Sequence, residues 1–364
     1  MDAGAQQASS PAMTLPLANQ AALDFVLTLR RRWADTLYPR LASEYAATRA
    51  SAEESVSPAA IAALVHTLPS YNGFAWLERG SQKMLWRAAA DAVNQVREAL
   101  SDTSPAAGPA TLDLNPALAL PDWYTEWDIH VQPGGIWSSR AAAEVYELGA
   151  KLVMLGENDD YKFHRLFVET ALPERTYGRI VDLGCGFGKS TWPLQKAHPQ
   201  AEVIGIDLAA PCLELALRRS NRLGLPIHFR QADAAATGLP AATADLVTAT
   251  MLIHELPLEA LQATLHEAAR LLRPGGLLRV LDFQFTGDDV RDLAMREHGV
   301  RNNEPFMPPM MTADTLAMAE AAGLDEARWV AFDERASGRL PGCKWPARPE
   351  WHFPWAILEA EKPV

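Results

Sequence analysis

"DLGCGFGKS", residues 182–190, begins like a dinucleotide-binding turn and ends like a phosphate-binding loop. A Walker loop needs Gly-x-x-x-x-Gly-Lys-Ser, and with Gly188 as its second glycine the first would stand at 183, where the chain has Leu183. The nicotinamide fingerprint Gly-x-Gly-x-x-Gly would start at Gly184 and Gly186 and require a glycine at 189, which is Lys189. The glycines fall instead at Gly184, Gly186 and Gly188, directly after the apolar run "RIVDL" (179–183). That spacing is a strand-to-helix corner whose backbone a ligand can approach closely, with Lys189-Ser190 read as the first turn of the helix.

Downstream, strand-like runs alternate with helical patterns: "EVIGID" (202–207), "IHFRQAD" (227–233), "DLVTATM" (245–251) and "LLRVLDF" (277–283). Such alternation predicts a mostly parallel sheet covered by helices on both faces. The last two runs, "RWVAFDE" (328–334) and "WAILEAEK" (355–362), are joined by a Gly/Pro/Trp loop, so they should pair antiparallel, with the final strand inserted at one edge. Upstream, Val26, Leu29, Trp33 and Leu37, and later Leu85, Ala89, Val93, Val96 and Leu100, recur at helical spacing, with Pro39 interrupting. The chain divides into a helical domain (1–115) closed by the linker-like "SDTSPAAGPAT" (101–111), an aromatic connecting or lid segment with helices (116–174), and an α/β domain (175–364).

Composition sets limits on partners. The chain has 364 residues and a formal net charge of −12, and its basic residues are scattered, which argues against a nucleic-acid footprint. Cys185, Cys212 and Cys343 are too few and too distant for a zinc site or disulfide framework, and no ligand cluster indicates a metal. No apolar run is long enough to span a bilayer and no secretory leader is evident, so the expected setting is cytoplasmic, without membrane insertion.

Three acidic or turn features decide what the glycine corner holds. Asp207, followed by Leu208, ends the second run, where a carboxylate at a strand's carboxyl edge can accept both hydroxyls of a ribose. Asp233, followed by Ala234, closes the third run, placed to meet an adenine amine, and "LLRPGG" feeds the fifth. Taken in order, "VDLGCGFG", "VIGIDLA", "ADAAATGLP" with "ADLVTATMLIHELP", and "LRPGG" resemble the class I S-adenosylmethionine-dependent methyltransferases, over about residues 175–364. The resemblance implies a Rossmann-like seven-stranded sheet with an antiparallel last strand, and S-adenosylmethionine as cofactor. Carried over, it places Asp182 at the methionine amino group, Gly184, Gly186 and Gly188 beneath the methionine part, Asp207 at the ribose, Asp233 at the adenine, and Thr250 and Met251 near the sulfonium.

Beyond the fourth run, "HELP" puts His254 and Glu255 at the carboxyl edge, with His254 as candidate general base. Small-molecule O-methyltransferases of natural-product pathways carry a histidine followed by an acidic residue in a similar place; a histidine that merely caps the next helix is the competing reading. Tyr124, Trp127, His130 and Trp137 are candidate acceptor contacts, or glue between the helical unit and the α/β domain. The expected function is methylation at oxygen or carbon of a small apolar or aromatic metabolite, with a homodimer through the N-terminal helices as a plausible assembly. The alternatives are a catalytically silent cofactor-binding regulator or scaffold, and an NAD-dependent oxidoreductase, against which Lys189 argues.

Overall fold

The computed structural model describes residues 15–49, 57–96 and 107–364. Nine strands form one sheet: β1 (Thr111–Asp113), β2 (Arg179–Leu183), β3 (Glu202–Asp207), β4 (His228–Gln231), β5 (Ala244–Thr250), β6 (Leu272–Phe283), β7 (Asp325–Asp333), β8 (Gly338–Arg339) and β9 (Trp355–Glu361). Their order is β1-β4-β3-β2-β5-β6-β9-β7-β8, parallel from β1 to β6 and antiparallel beyond. The seven expected strands are all present. Two differences stand out: β9 lies between β6 and β7 rather than at an edge, and the short β1 and β8 extend the sheet on either side.

The central parallel strands β2 and β5 are buried on both faces; β5 has no exposed residue along its length. Order reverses between β2 and β5, the switch point at whose carboxyl side open α/β sheets bind ligands. β1 arises from the end of the stretch that reads as a linker and pairs with β4 from Thr111↔His228 to Asp113↔Arg230. "LRPGG" lies within β6, where a register shift between Ala244 and Leu246 marks a bulge, and Gly275 has φ of 72°.

The N-terminal helices are α1 (Leu17–Arg32), α2 (Tyr38–Arg49), α3 (Pro58–Val65) and α4 (Tyr71–Gln95). Pro39 does not end the helical run. It lacks an N–H, and the turn before it widens into a π-turn over Trp33–Leu37, where the Tyr38 N–H reaches back to the Trp33 carbonyl. Candidate positions Val96 and Leu100 differ in status: Val96 caps α4, and Leu100 lies outside the described residues.

These helices share the core of the sheet. Trp33 and Tyr38 pack on Trp351 with ring centroids 6.3 and 5.2 Å apart, and the Trp351 N–H donates to the Ala34 carbonyl at 2.9 Å. A smaller cluster joins Leu23, Val26, Leu85, Trp86 and Ala89 to Val145 and Leu152 of the helix Arg140–Val153. Contact there is close: a Cβ on Gly149 would come within 2.1 Å of the Trp86 ring. Gly149→Ala is therefore expected to cost about 1–3 kcal/mol through overpacking, read as a lowered urea midpoint at unchanged m-value.

Candidate active site

Two adjoining hollows open at the carboxyl edge of the sheet. The first, a cleft of about 700 Å³, lies over the glycine corner and is bordered by Gly184, Gly186, Asp207, Leu208, Asp233, Ala234, Thr250 and Met251. Eight of the ten residues expected at the cofactor thus come together. The corner itself is held by Asp207: its Oδ2 accepts from the Gly186 N–H at 2.7 Å and its Oδ1 from the Ala209 N–H at 2.8 Å. Gly184 needs its freedom, with φ of 67° and a Leu252 methyl 2.7 Å from where a Cβ would be.

Asp182 and Gly188 lie off the cleft. Asp182 is fully buried beneath the corner, where its carboxylate accepts from Ser190 and Thr191 at 2.7 Å and from Thr248 at 2.9 Å. Burial raises its pKa, and those three hydroxyls oppose the shift. Its role in this arrangement is to tie the corner to β5 and to the helix Thr191–Ala197, which begins one residue after Ser190. Gly188, with φ of 91°, makes room for Trp192, whose ring nitrogen would sit 2.8 Å from a Cβ.

Burial pushes the Asp207 carboxyl up to about 6, partly opposed by its two backbone donors. Asp233 accepts from the Ala235 N–H at 2.8 Å. Thr250 Oγ1 is buried without a hydrogen-bond partner, an orphaned polar group inside the cleft. Two carboxylates, an unsatisfied hydroxyl, apolar walls and a corner stripped of side chains suit a ligand carrying a ribose, an aromatic base and a thin flexible chain.

The second hollow, a chamber of about 570 Å³, is apolar and aromatic, with walls from Trp86, Met307, Phe353 and Trp355. Tyr146, Lys189, Met251 and Glu255 border both hollows and so form the wall that they share. His254 and His130 face the chamber. The four expected acceptor contacts, Tyr124, Trp127, His130 and Trp137, all border one small recess with Gly135 and Glu255; Tyr124 also lines the cleft and His130 the chamber. The recess forms locally, because Gly134 and Gly135, at φ of 79° and 66°, turn the chain so that Trp137 folds back onto Gly135.

His254 is buried, and its Nδ1 is 2.7 Å from Asp282 Oδ1 at the end of β6. A carboxylate can only accept, so Nδ1 carries the proton and Nε2 keeps its lone pair. Burial alone would depress the His254 pKa; Asp282 overcomes this and raises it. His130 is different, with both ring nitrogens on carboxylates: Nε2 on Glu255 at 3.0 Å and Nδ1 on Glu304 at 2.8 Å. Against the opposing effect of burial, these lift it to about 10 and keep it an imidazolium, while Glu255 and Glu304 are held below their ordinary values despite burial. The His130 carbonyl accepts from Trp86 Nε1 at 2.6 Å and Gln82 Nε2 at 3.2 Å, so α4 positions it.

Sequence reasoning passed over Lys189, Asp282, Tyr146 and Glu304. Lys189 stood in the opening stretch, Asp282 ended a recognised strand, and Glu304 lay in the Pro/Met-rich stretch "NNEPFMPPMM" (302–311), a candidate lid after the fifth run; nothing local marked Tyr146. No helix among the described residues is long and apolar enough to cross a membrane, and none of their His, Cys, Asp and Glu side chains group into a metal site.

Residues 180–276 match the family described as Methyltransferase domain. The demethylmenaquinone methyltransferase of Thermus thermophilus is 36% identical over 138 residues, 38% of this chain and 60% of that protein. The trans-aconitate 2-methyltransferase of Azoarcus sp. is 44% identical over 102 residues, 28% of this chain and 37% of that one. The ubiquinone biosynthesis O-methyltransferase of Methylocella silvestris is 32% identical over 175 residues, 44% of this chain and 64% of that one. The chain thus spans less than two thirds of each of these relatives. With the glycine corner, the two acidic strand ends and the strand order in place, residues 180–276 form a methyltransferase domain of the class I S-adenosylmethionine-dependent type.

Proposed function

We propose that this protein transfers the methyl group of S-adenosylmethionine to a small, largely apolar or aromatic acceptor bound in the chamber. The observation that carries the reading is the pairing of a ribose-suited cleft with an aromatic chamber that shares four wall residues with it; on this reading donor and acceptor meet there, at a passage between the two. The residues fit the cofactor: Asp207 would take the ribose hydroxyls and Asp233 the adenine amine. Gly184 and Gly186 would pass the methionine chain, and Thr250 would spend its unpaired hydroxyl there. When bound, S-adenosylmethionine supplies a methyl already made electrophilic by its sulfonium.

The protein's own work is alignment and proton removal. Apolar walls exclude water from the chamber, the passage sets the line of approach, and His254 Nε2 receives the acceptor's proton. Asp282 fixes the ring and stabilises the imidazolium that results. The His130 imidazolium, pinned between Glu255 and Glu304, holds the passage wall without acting as a base.

Calorimetry with S-adenosylhomocysteine tests the cleft. Asp207→Ala removes two charge-assisted acceptor sites and is expected to weaken binding about a hundred-fold. Because Asp207 titrates at about 6 in the free protein, affinity in the wild type should also fall as pH drops below that value, where the carboxyl becomes protonated. Release of S-adenosylhomocysteine from S-adenosylmethionine in the presence of hydroxylated aromatic acceptors tests turnover. NAD binding without S-adenosylhomocysteine binding would overturn the reading.

A further inference from the structure

Lys189 borders both the cleft and the chamber. Its ammonium lies over Tyr146 at 5.4 Å and Phe187 at 5.8 Å from the ring centroids, and 4.0 Å from Met251 Sδ. Two aromatic faces hold the cation in place without neutralising it. The charges around it are otherwise spoken for: Glu255 and Glu304 bracket His130, His254 is bound by Asp282, and His298 by Glu78. Among the described residues no carboxylate lies within ion-pair distance of Lys189. Burial holds its pKa at about 8, with the field of Glu255 working the other way.

A desolvated cation without an anionic partner, at the point where two ligands meet, is a site for an anion that arrives or forms there. We propose that Lys189 is a catalytic residue whose ammonium holds the acceptor's reacting oxygen as an oxyanion, so that the acceptor carries an acidic hydroxyl, phenolic or enolic, at its reacting end. This rests on the methyl-transfer reading above. The hydroxyl proton passes to His254 Nε2, and the oxygen's electron pair makes the bond to the methyl carbon. The pair from the breaking carbon–sulfur bond stays on the departing sulfur, which leaves as a neutral thioether. Lys189 keeps its protons throughout, and its charge counts most while the oxygen is anionic.

The test uses the full-length protein loaded with S-adenosylhomocysteine and titrated with 4-nitrophenol, whose phenol and phenolate differ in absorbance. Bound to the wild type, the phenol's apparent pKa is expected to fall by about one unit or more relative to solution, the scale of a nearby opposite charge. Lys189→Met should abolish the drop and Lys189→Arg should keep most of it, each still binding S-adenosylhomocysteine; Lys189→Gln serves if the Met variant does not fold. A phenol pKa unchanged between wild type and Lys189→Met, or no binding of 4-nitrophenol to the loaded protein, overturns the proposal. So does a loss of more than about tenfold in S-adenosylhomocysteine affinity with the phenol pKa still lowered, which would assign Lys189 to the donor. Failure of the wild type to bind S-adenosylhomocysteine would instead sink the methyl-transfer reading itself.

Discussion

His254→Ala is expected to lower turnover by about a hundred- to ten-thousand-fold, the range of a positioned general base, with S-adenosylhomocysteine affinity nearly unchanged because His254 borders the chamber and not the cleft. The pH profile supplies an independent readout. A base works in its neutral form, and Asp282 raises the His254 pKa, so the rate should climb with pH along a limb that lies above the ordinary histidine value of about 6.5. Asp282→Asn removes the charge that sustains the raised pKa and should shift that limb to lower pH. It should also slow the reaction, since the ring loses its fixed tautomer. If His254→Ala kept full turnover and an unaltered limb, the histidine would be a structural cap of the short turn Ile253–Glu255 and the base would lie elsewhere.

Glu78→Ala should have the largest effect on stability. Glu78 of α4 is buried, and its carboxylate is bound by His298, Arg301 and Asn302 of the helix Asp289–Arg301 and the residue after it. Removing it takes the shared acceptor from buried His298 and Asn302 and leaves Arg301 with Glu297 alone, a loss of about 3–5 kcal/mol, seen as a lower denaturant midpoint. The sign of its pH dependence is fixed. Burial would raise the Glu78 pKa, but His298 and Arg301 hold it down at about 2. Its stabilisation is therefore present above the unfolded carboxylate value of about 4.3 and is lost as pH falls from there through about 2. The variant should show a flatter acid limb of stability than the wild type; parallel limbs would mean that Glu78 carries no such charge in the folded state.

How far the fold could be read follows from the range of the interactions that specify it. "RIVDL" and "EVIGID" match β2 and β3 to the residue, because doubly buried parallel strands leave continuous apolar runs that end where the ligand edge begins. β1 gave no such signal. Its three residues, Thr111–Asp113, are strand only because β4 offers them an open edge. The position of β9 was also hidden, since antiparallel pairing with β7 does not say on which side β6 will lie.

The cofactor side was more legible than the acceptor side for a similar reason. Asp207, Asp233 and the glycines sit at strand ends, so their places follow from the sheet. The inward turn of Asp182 was not legible, because a strand-end carboxylate can turn beneath the corner as readily as toward it, and Ser190, Thr191 and Thr248 draw it inward. The acceptor walls come from far apart in sequence, with Trp86, Tyr146, Glu304 and Trp355 brought together only by tertiary packing. Lys189 was set aside as an ordinary helix start because its importance lies in Tyr146, a residue from an earlier helix that covers it.

The two hollows also divide the chain in an uneven way. Of the residues bordering the cleft, only Trp123, Tyr124, Ile136 and Tyr146 fall outside 180–276; of those bordering the chamber, only Lys189, Met251, His254 and Glu255 fall inside it. On the proposed reading, donor recognition is encoded mainly in one continuous cassette, while the acceptor's shape is written in the flanks, on the helix Arg140–Val153, on α4 and in the segments from the end of β6 onward. A relative that keeps the cassette and exchanges its flanks can change what it modifies without relearning how to hold the donor.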